Sequence, residues 1–369
     1  MDGPIRVLHA VVNMNRGGAE TLLMNLYRNL NRAEVQFDFL TSRPGVFDEE
    51  IAAMGGVVHR IPYVTDLGHR AYVRELRRFF ERHSQYRIVH AHMDKMSGAV
   101  LAAAKKSGVP VRIAHSHNTM SEGGVAARLY KWAVGRQISS SATERVACSR
   151  AAARWLFGSR AAEAAIMRNG IEGGRFAFDP LVREQVRREL GIAETTFVVG
   201  HVGRFLRQKN HAYLIERFAE LQAQVADSAL VLAGDGPLRP DIERKARELG
   251  LGDKVRFLGV RGDVDRLMQS FDAFVFPSFH EGLPVTLVEA QAAGLPCIVS
   301  DAVTEEADLG LGLVAFFPLK SPAEWVRRMK AAAERRSDRT IPADGLGRRG
   351  YDIAETARWA EQYYRARTR

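Results

Sequence analysis

The stretch FVFPSFHEGLPVTLVEAQAAGLPCIVSD, Phe274 to Asp301, runs from an apolar strand-like segment through a loop into a helix-like segment with one charged residue. Pro284 suits a first helical turn, where its missing N–H costs nothing, and Gly294 suits a stop, so a helix over Pro284–Ala293 is expected. Glu281 then lies in the preceding loop and Glu289 inside the helix. An isolated helix glutamate is ordinarily solvated, but a helix this apolar has no polar face to turn outward. Burying an unpaired carboxylate is costly. A carboxylate at the edge of a cleft, accepting hydrogen bonds from ligand hydroxyls, resolves the conflict, and ribose and hexose supply such hydroxyls.

To either side of this stretch, apolar strands alternate with amphipathic helices. IRVLHAVV, VQFDFLT, VVHRIP, RIVHAH, VRIAHS and TERVACS are strand candidates in the first half, with AETLLMNLYRNL and SGAVLAAAKKSG among the helices. The pattern pauses at MRNGIEGGRFAFDP, where Asn-Gly, Gly-Gly and Asp-Pro mark a connector, and restarts with TFVVGHVGR, ALVLAGDG, KVRFLGV, FDAFVFPS, LPCIVSD and GLVAFFP. Strand–helix–strand order implies an α/β fold with doubly wound parallel sheets, ligands sitting at the strands' carboxyl ends. Two domains are expected over 1–172 and 173–351, facing a cleft that suits a small molecule. In the last helix, Ile353, Ala357 and Ala360 form an apolar stripe.

Cys148 and Cys297 lie half the chain apart and give neither a disulfide framework nor a metal spacing. The opening stretch has an acidic residue and a proline before an apolar run too short for a signal peptide, and no segment matches a membrane span, so a cytoplasmic protein is expected. The net charge of +10 is unevenly distributed: residues 1–170 hold 24 Lys and Arg against 14 Asp and Glu, and the remainder carries 29 of each. The basic half is expected to be a solvated surface or to meet an anionic one, either the inner face of the membrane or a pyrophosphate-bearing acceptor. Its cations are dispersed rather than clustered with aromatics, which argues against nucleic acid. In HRAYVRELRRFFERH, Tyr72, Leu76, Phe79 and Phe80 share one side of a helix, suited either to core packing or to resting on lipid.

VVGHVGRFLRQKNHAYLIERF places Gly203 and Arg204 directly after a strand and Lys209 just before a helix. An Arg fork beside a mobile Lys charge suits a diphosphate. With the two glutamates, these residues describe a sugar nucleotide held at its pyrophosphate, ribose and hexose.

At HEGLPVTLVEA, with glutamates eight apart, together with VGRFLRQKN, LVLAGDGPLRPDIE, VRFLGV, NGI and the early GGAE, the sequence resembles the retaining glycosyltransferases of family 4, with the GT-B fold, and in particular bacterial exopolysaccharide glycosyltransferases. The resemblance spans nearly the whole chain. It implies a nucleotide sugar, expected to be UDP-linked, held by the second domain, a glycan or lipid-linked saccharide acceptor held by the first, a last helix (352–369) crossing back to the first domain, and no obligatory metal or other cofactor. Carried over by position, Arg204 and Lys209 stabilise the leaving diphosphate, Glu281 binds the donor sugar, Glu289 binds the ribose, and the backbone near Gly282 and Leu283 faces sugar and phosphate. Many members read EGFGLP where this chain reads EGLPVT, which puts Leu283, Pro284 and Thr286 at sugar-facing positions and leaves the hexose, or N-acetylhexosamine, unnamed.

In the first domain, NMNRGGAET puts Gly17 and Gly18 between a strand and a helix, where backbone N–H groups can approach phosphate. A plain tight turn is the competing reading, and there is no GxGxxG to indicate a dinucleotide oxidoreductase. In RIAHSHNTM the resemblance implies that His117, with His115 second, lies near the reacting sugar, with Asn118 and Asn169 on the acceptor side. A second H-x-H, His90 and His92, opens a different chemistry. Alternation places both histidines of each pair on one face, as metal hydrolases arrange zinc or iron ligands, with Asp94 the one obvious carboxylate. A non-catalytic sugar-nucleotide-binding module is the third possibility, against which the complete set of Arg204, Lys209, Glu281 and Glu289 weighs.

Overall fold

The computed structural model describes residues 3–335, 339–342 and 345–368; the terminal positions 1, 2 and 369 of the expected first-domain range lie outside them. The chain divides into two compact units, Met1–Ile171 with Gly350–Arg369, and Glu172–Arg349.

The first unit is built on a seven-stranded sheet in which every pairing is parallel. Its strands are β1 (Ile5–Ala10), β2 (Val35–Thr41), β3 (Val58–Arg60), β4 (Ile88–Ala91), β5 (Val111–Ser116), β6 (Glu144–Ala147) and β7 (Ala165–Ile166), in the order β3-β2-β1-β4-β5-β6-β7. β2 is buried along its whole length, its polar Gln36, Asp38 and Thr41 included, as a strand covered on both faces is. One face of the sheet packs on the helices Gly18–Asn29 and Ile353–Arg365, the latter contributing Ile353, Ala357, Ala360, Tyr363 and Tyr364. The other face receives the helix His69–Arg82, whose Tyr72, Leu76, Phe79 and Phe80 are all core residues. The lipid reading of that stripe is therefore wrong: its apolar side is covered by the sheet and by the helix Ser97–Lys106.

The second unit repeats the plan with six parallel strands, β8 (Phe197–Val202), β9 (Ser228–Ala233), β10 (Val255–Phe257), β11 (Ala273–Phe276), β12 (Cys297–Ser300) and β13 (Val314–Phe317), in the order β10-β9-β8-β11-β12-β13. In each sheet the order reverses beside the unit's first strand, at β1/β4 and at β8/β11, and the crevice beyond the carboxyl ends at such a point is where doubly wound sheets take ligands.

The organising helix spans Val285–Ala292, one residue shorter at each end than expected. Pro284 stays extended at ψ 113° and forms the N-cap, and Gly294 ends the helix at φ +67°. A Cβ at Gly294 would collide with the Arg339 carbonyl, so glycine is needed there twice over. Among the described residues no helix is long and apolar enough to cross a membrane.

Candidate active site

The second unit carries Gly203, Arg204 and Lys209 on the loop after β8 and Glu281 to Pro284 on the loop after β11, with Thr286 and Glu289 on the helix that follows. The loop after β8 and the loop after β11 are joined through Phe279 N–H to Gln208 O (2.9 Å), Gln208 Nε2 to His280 O (2.9 Å) and Asn210 Nδ2 to Pro277 O (3.2 Å). Asn210 occupies the left-handed region at φ +55°, a conformation asparagine tolerates better than most residues. This clamp brings Lys209 Nζ to 2.7 Å from Glu281 Oε1 and to 4.6 Å over the Phe276 ring. Both side chains are largely withdrawn from water, 16% and 9% exposed. A Cβ at Gly203 would stand 3.1 Å from His201 Nε2 and 3.3 Å from the Lys209 methylenes, so a side chain there would crowd this approach. Arg204, next in the same loop, is exposed, and among the described residues its guanidinium makes no hydrogen bond.

Sequence reasoning directed Lys209 and Glu281 separately toward a ligand; the structure joins them to each other. Gly282, Leu283 and Pro284 are buried beside them, with Thr286 half-buried. Glu289 is 8% exposed, and no hydrogen bond reaches its carboxylate among the described residues. Burial, reinforced by Asp265 and opposed by Arg175, pushes its pKa up to about 7. It therefore sits near half-protonation at neutral pH, poised to accept hydrogen bonds once ionised.

In the first unit, Gly17 caps the helix Gly18–Asn29. A side chain at Gly17 would collide with the Glu20 carboxylate, so this helix start already has an acid of its own chain lying over it, and the phosphate reading meets a resident competitor. The space around Gly18 is open. Asn118 Oδ1 accepts from Thr119 N–H at 2.9 Å, and Asn169 is buried.

The two H-x-H pairs do converge, and a fifth imidazole that sequence reasoning missed, His9 of β1, joins them. His9 is level with His90 in the parallel register, an adjacency that neither strand reveals by itself. Two chains of hydrogen bonds form. His9 Nδ1 meets His92 Nε2 at 2.9 Å and His92 Nδ1 meets His117 Nε2 at 2.8 Å; Tyr364 Oη meets His90 Nδ1 at 2.8 Å and His90 Nε2 meets His115 Nδ1 at 3.1 Å. Burial lowers every one of these imidazoles, His9 and His117 to about 3, so all five are neutral at pH 7. Each then carries one N–H and one lone pair, and a chain of them must be polarised in a single sense. With His117 Nε2 taken by His92, Nδ1 is the nitrogen His117 has left to offer. Asp94, at φ +47°, accepts the His117 backbone N–H at 3.1 Å, and burial pushes its own pKa up to about 6. One nitrogen each from His9, His90 and His92, or from His92, His115 and His117, lie within 4.8 Å of one another, close enough for a metal.

Comparison with known proteins finds relatives over nearly the whole chain. Residues 182–336 match the family of glycosyl transferases group 1, and residues 17–170 match the glycosyl transferase 4-like domain. Over 359 residues the chain is 43% identical to EpsF of Bacillus subtilis (strain 168), named as a glycosyltransferase, with 95% of this chain and 94% of EpsF covered. It is 31% identical over 230 residues, 59% of this chain and 58% of the relative, to the UDP-Gal:alpha-D-GlcNAc-diphosphoundecaprenol alpha-1,3-galactosyltransferase of Escherichia coli. The solved structure of Anabaena Alr3699/HepE in complex with UDP and glucose matches at a TM-score of 0.75 and 21% identity, covering 98% of this chain and 95% of that one, a likeness of fold.

Proposed function

Because the chain belongs to the family 4-like glycosyltransferases of GT-B fold and is an enzyme of that class using a nucleotide sugar, we propose that it moves a hexose or N-acetylhexosamine from a UDP-sugar to a lipid-linked saccharide, with retention and without a metal, in the making of an exopolysaccharide. One observation carries the reading: the Lys209–Glu281 pair, clamped at the β8/β11 reversal by the loop that also carries Arg204, whose guanidinium makes no hydrogen bond among the described residues. The second unit is then the donor side and the first the acceptor side.

As the anomeric carbon gains positive character, charge accumulates on the departing diphosphate, and catalysis consists chiefly of stabilising that charge and positioning the partners. Arg204 and Lys209 meet the diphosphate. Glu281, released from Lys209 as the phosphates take its place, accepts from the sugar hydroxyls, and ionised Glu289 accepts from the ribose. His117, its tautomer fixed through His92, presents Nδ1 to the reacting sugar. Same-face attack, with the departing phosphate taking the acceptor's proton, requires no further carboxylate. The lipid-linked acceptor is supported by the named substrate of the Escherichia coli relative, and action at the inner face of the membrane by the charge excess of the first half.

A thermal-shift panel of UDP, GDP, ADP and their sugar conjugates in EDTA tests this, since a ligand that binds only the folded state raises the melting temperature. Stabilisation by uridine compounds in EDTA is expected. The converging imidazoles favour a second reading, a metal hydrolase. Stabilisation by zinc with no nucleotide response would put that reading first.

A further inference from the structure

A cavity of about 400 Å³ opens in the first unit among the helices Val125–Gly135, Ile138–Ser141 and Arg150–Phe157 and the turn after β4. Its wall carries four cations, Lys95, Arg136, Arg145 and Arg160, and two indoles, Trp132 and Trp155; no carboxylate lines it among the described residues. Lys95 Nζ stands 5.3 Å from the Trp155 ring centre, and the Arg136 guanidinium 5.3 Å from that of Trp132. Glu163 is shared by two of these cations: Arg160 holds it at 2.7 Å, and Arg145 Nη1 reaches it at 3.1 Å.

Within this wall Arg145 stands out. Its side chain is 4% exposed, and its Nη2 is buried with no hydrogen-bond partner among the described residues. A buried guanidinium N–H without an acceptor costs about 1–3 kcal/mol; Arg217 Nε and Arg367 Nε are also buried without one among the described residues, and of the three arginines Arg145 is the one that lines this cavity, where an acceptor has room to bind. Burial and the neighbouring Arg160 both pull the Arg145 guanidinium below its usual value, and an anion in the cavity would relieve both.

The helix alongside carries the complementary feature. Val125, Leu129 and Trp132 follow one another on one side of it, 74%, 61% and 54% exposed. Unlike the stripe at Tyr72, nothing in the first unit covers them among the described residues. Trp132 belongs both to this side and to the cavity wall, so an apolar track leads into a cationic pocket.

We infer that the cavity is a phosphate-binding site in which Arg145 Nη2 donates to a phosphate oxygen, Arg136 and Lys95 balance the charge, and an apolar chain attached to the phosphate lies along Val125, Leu129 and Trp132. The ligand class is an amphiphilic phosphate or diphosphate, or free phosphate of the same chemistry. The site lies apart from Arg204 and Lys209 in sequence and in unit, and it stands or falls independently of the donor reading.

Titration of the full-length protein with geranyl diphosphate, inorganic pyrophosphate and geraniol, followed by intrinsic tryptophan fluorescence, tests it. Geranyl diphosphate should saturate, about tenfold tighter than pyrophosphate, with geraniol silent. Arg145→Gln and Arg136→Gln should each weaken binding about tenfold, and Leu129→Ser should remove the advantage of the geranyl chain. Should Arg145→Gln fail to fold, exposed Arg136 carries the test. Pyrophosphate binding as tightly, and still dependent on Arg145, would keep the site and make free phosphate its source. No saturable response to either anion at millimolar concentration, unchanged affinity in both arginine variants, or binding lost in Lys209→Ala instead, would overturn it.

Discussion

Lys209 Nζ and Glu281 Oε1 meet at 2.7 Å across 72 residues of sequence, each excluding water from the other. Removing one partner leaves the other's charge in a largely dry site, which costs more than removing both. Lys209→Ala and Glu281→Ala should each lower turnover by 100-fold or more while the far-ultraviolet circular dichroism stays native. The double variant should melt no lower than the worse single variant, a coupling that a double-mutant cycle measures. Full turnover by both single variants would remove the pair from the site.

Arg204 separates binding from stability. Its guanidinium is exposed and makes no hydrogen bond among the described residues, so Arg204→Ala should change stability by no more than about 0.5 kcal/mol. Affinity for the nucleoside diphosphate, read by calorimetry, should fall about 10- to 100-fold, as loss of a charge-assisted contact would.

Glu289 makes pH an assay. A carboxyl raised to about 7 in the folded state and titrating near 4.5 when unfolded holds its proton longer when folded, so its contribution to stability falls as pH rises from 4.5 to 7 and is flat above. Glu289→Gln should abolish that decline. In the proposed donor role the ionised form accepts from ribose, so uridine diphosphate should bind more tightly as pH climbs from 6 to 8, and the glutamine variant should show no such rise.

The five imidazoles act in the opposite direction. Their pKa values are lowered on folding, so the unfolded chain binds protons first as pH drops through 6.5, and stability is lost progressively toward pH 3. His92→Phe leaves His9 Nδ1 and His117 Nε2 without their partner, which should cost about 2–4 kcal/mol at pH 7 by urea titration.

Deleting the chain from Tyr351 onward removes Ile353, Ala357, Ala360, Tyr363 and Tyr364 from the first unit's core. The truncated protein should be insoluble. Tyr364→Phe, which loses only the hydroxyl contact to His90, should fold and lose about 1 kcal/mol, checked by thermal melting.

Much of the fold is legible because its signals are local. The apolar run in β11 and the proline–glycine bracket around Val285–Ala292 each carry their own punctuation. β7 escapes because two residues, Ala165 and Ile166, show no period. The stripe at Tyr72 is written the same way for a core as for a lipid surface, and only its neighbours decide. His9 and the Lys209–Glu281 contact escape for a different reason: each depends on strand order and register, which residues far apart share and no single stretch contains. Glu289 is the reverse case, since one charge in an otherwise apolar helix is visible before any coordinates.

The chain enters the second unit at Ile171 and leaves it toward Tyr351, and those two residues are stitched together: Ile171 N–H donates to Tyr351 O at 2.9 Å, and Ile353 N–H donates to Ile171 O at 3.1 Å. Residues 172–349 are thus a continuous insert with neighbouring attachment points in a host that closes around its own two ends. Such a segment behaves as a cassette. A recombinant chimera that replaces it between Ile171 and Gly350 alters one end of the chemistry at two junctions, leaving every strand pairing and the imidazole ladder of the host untouched.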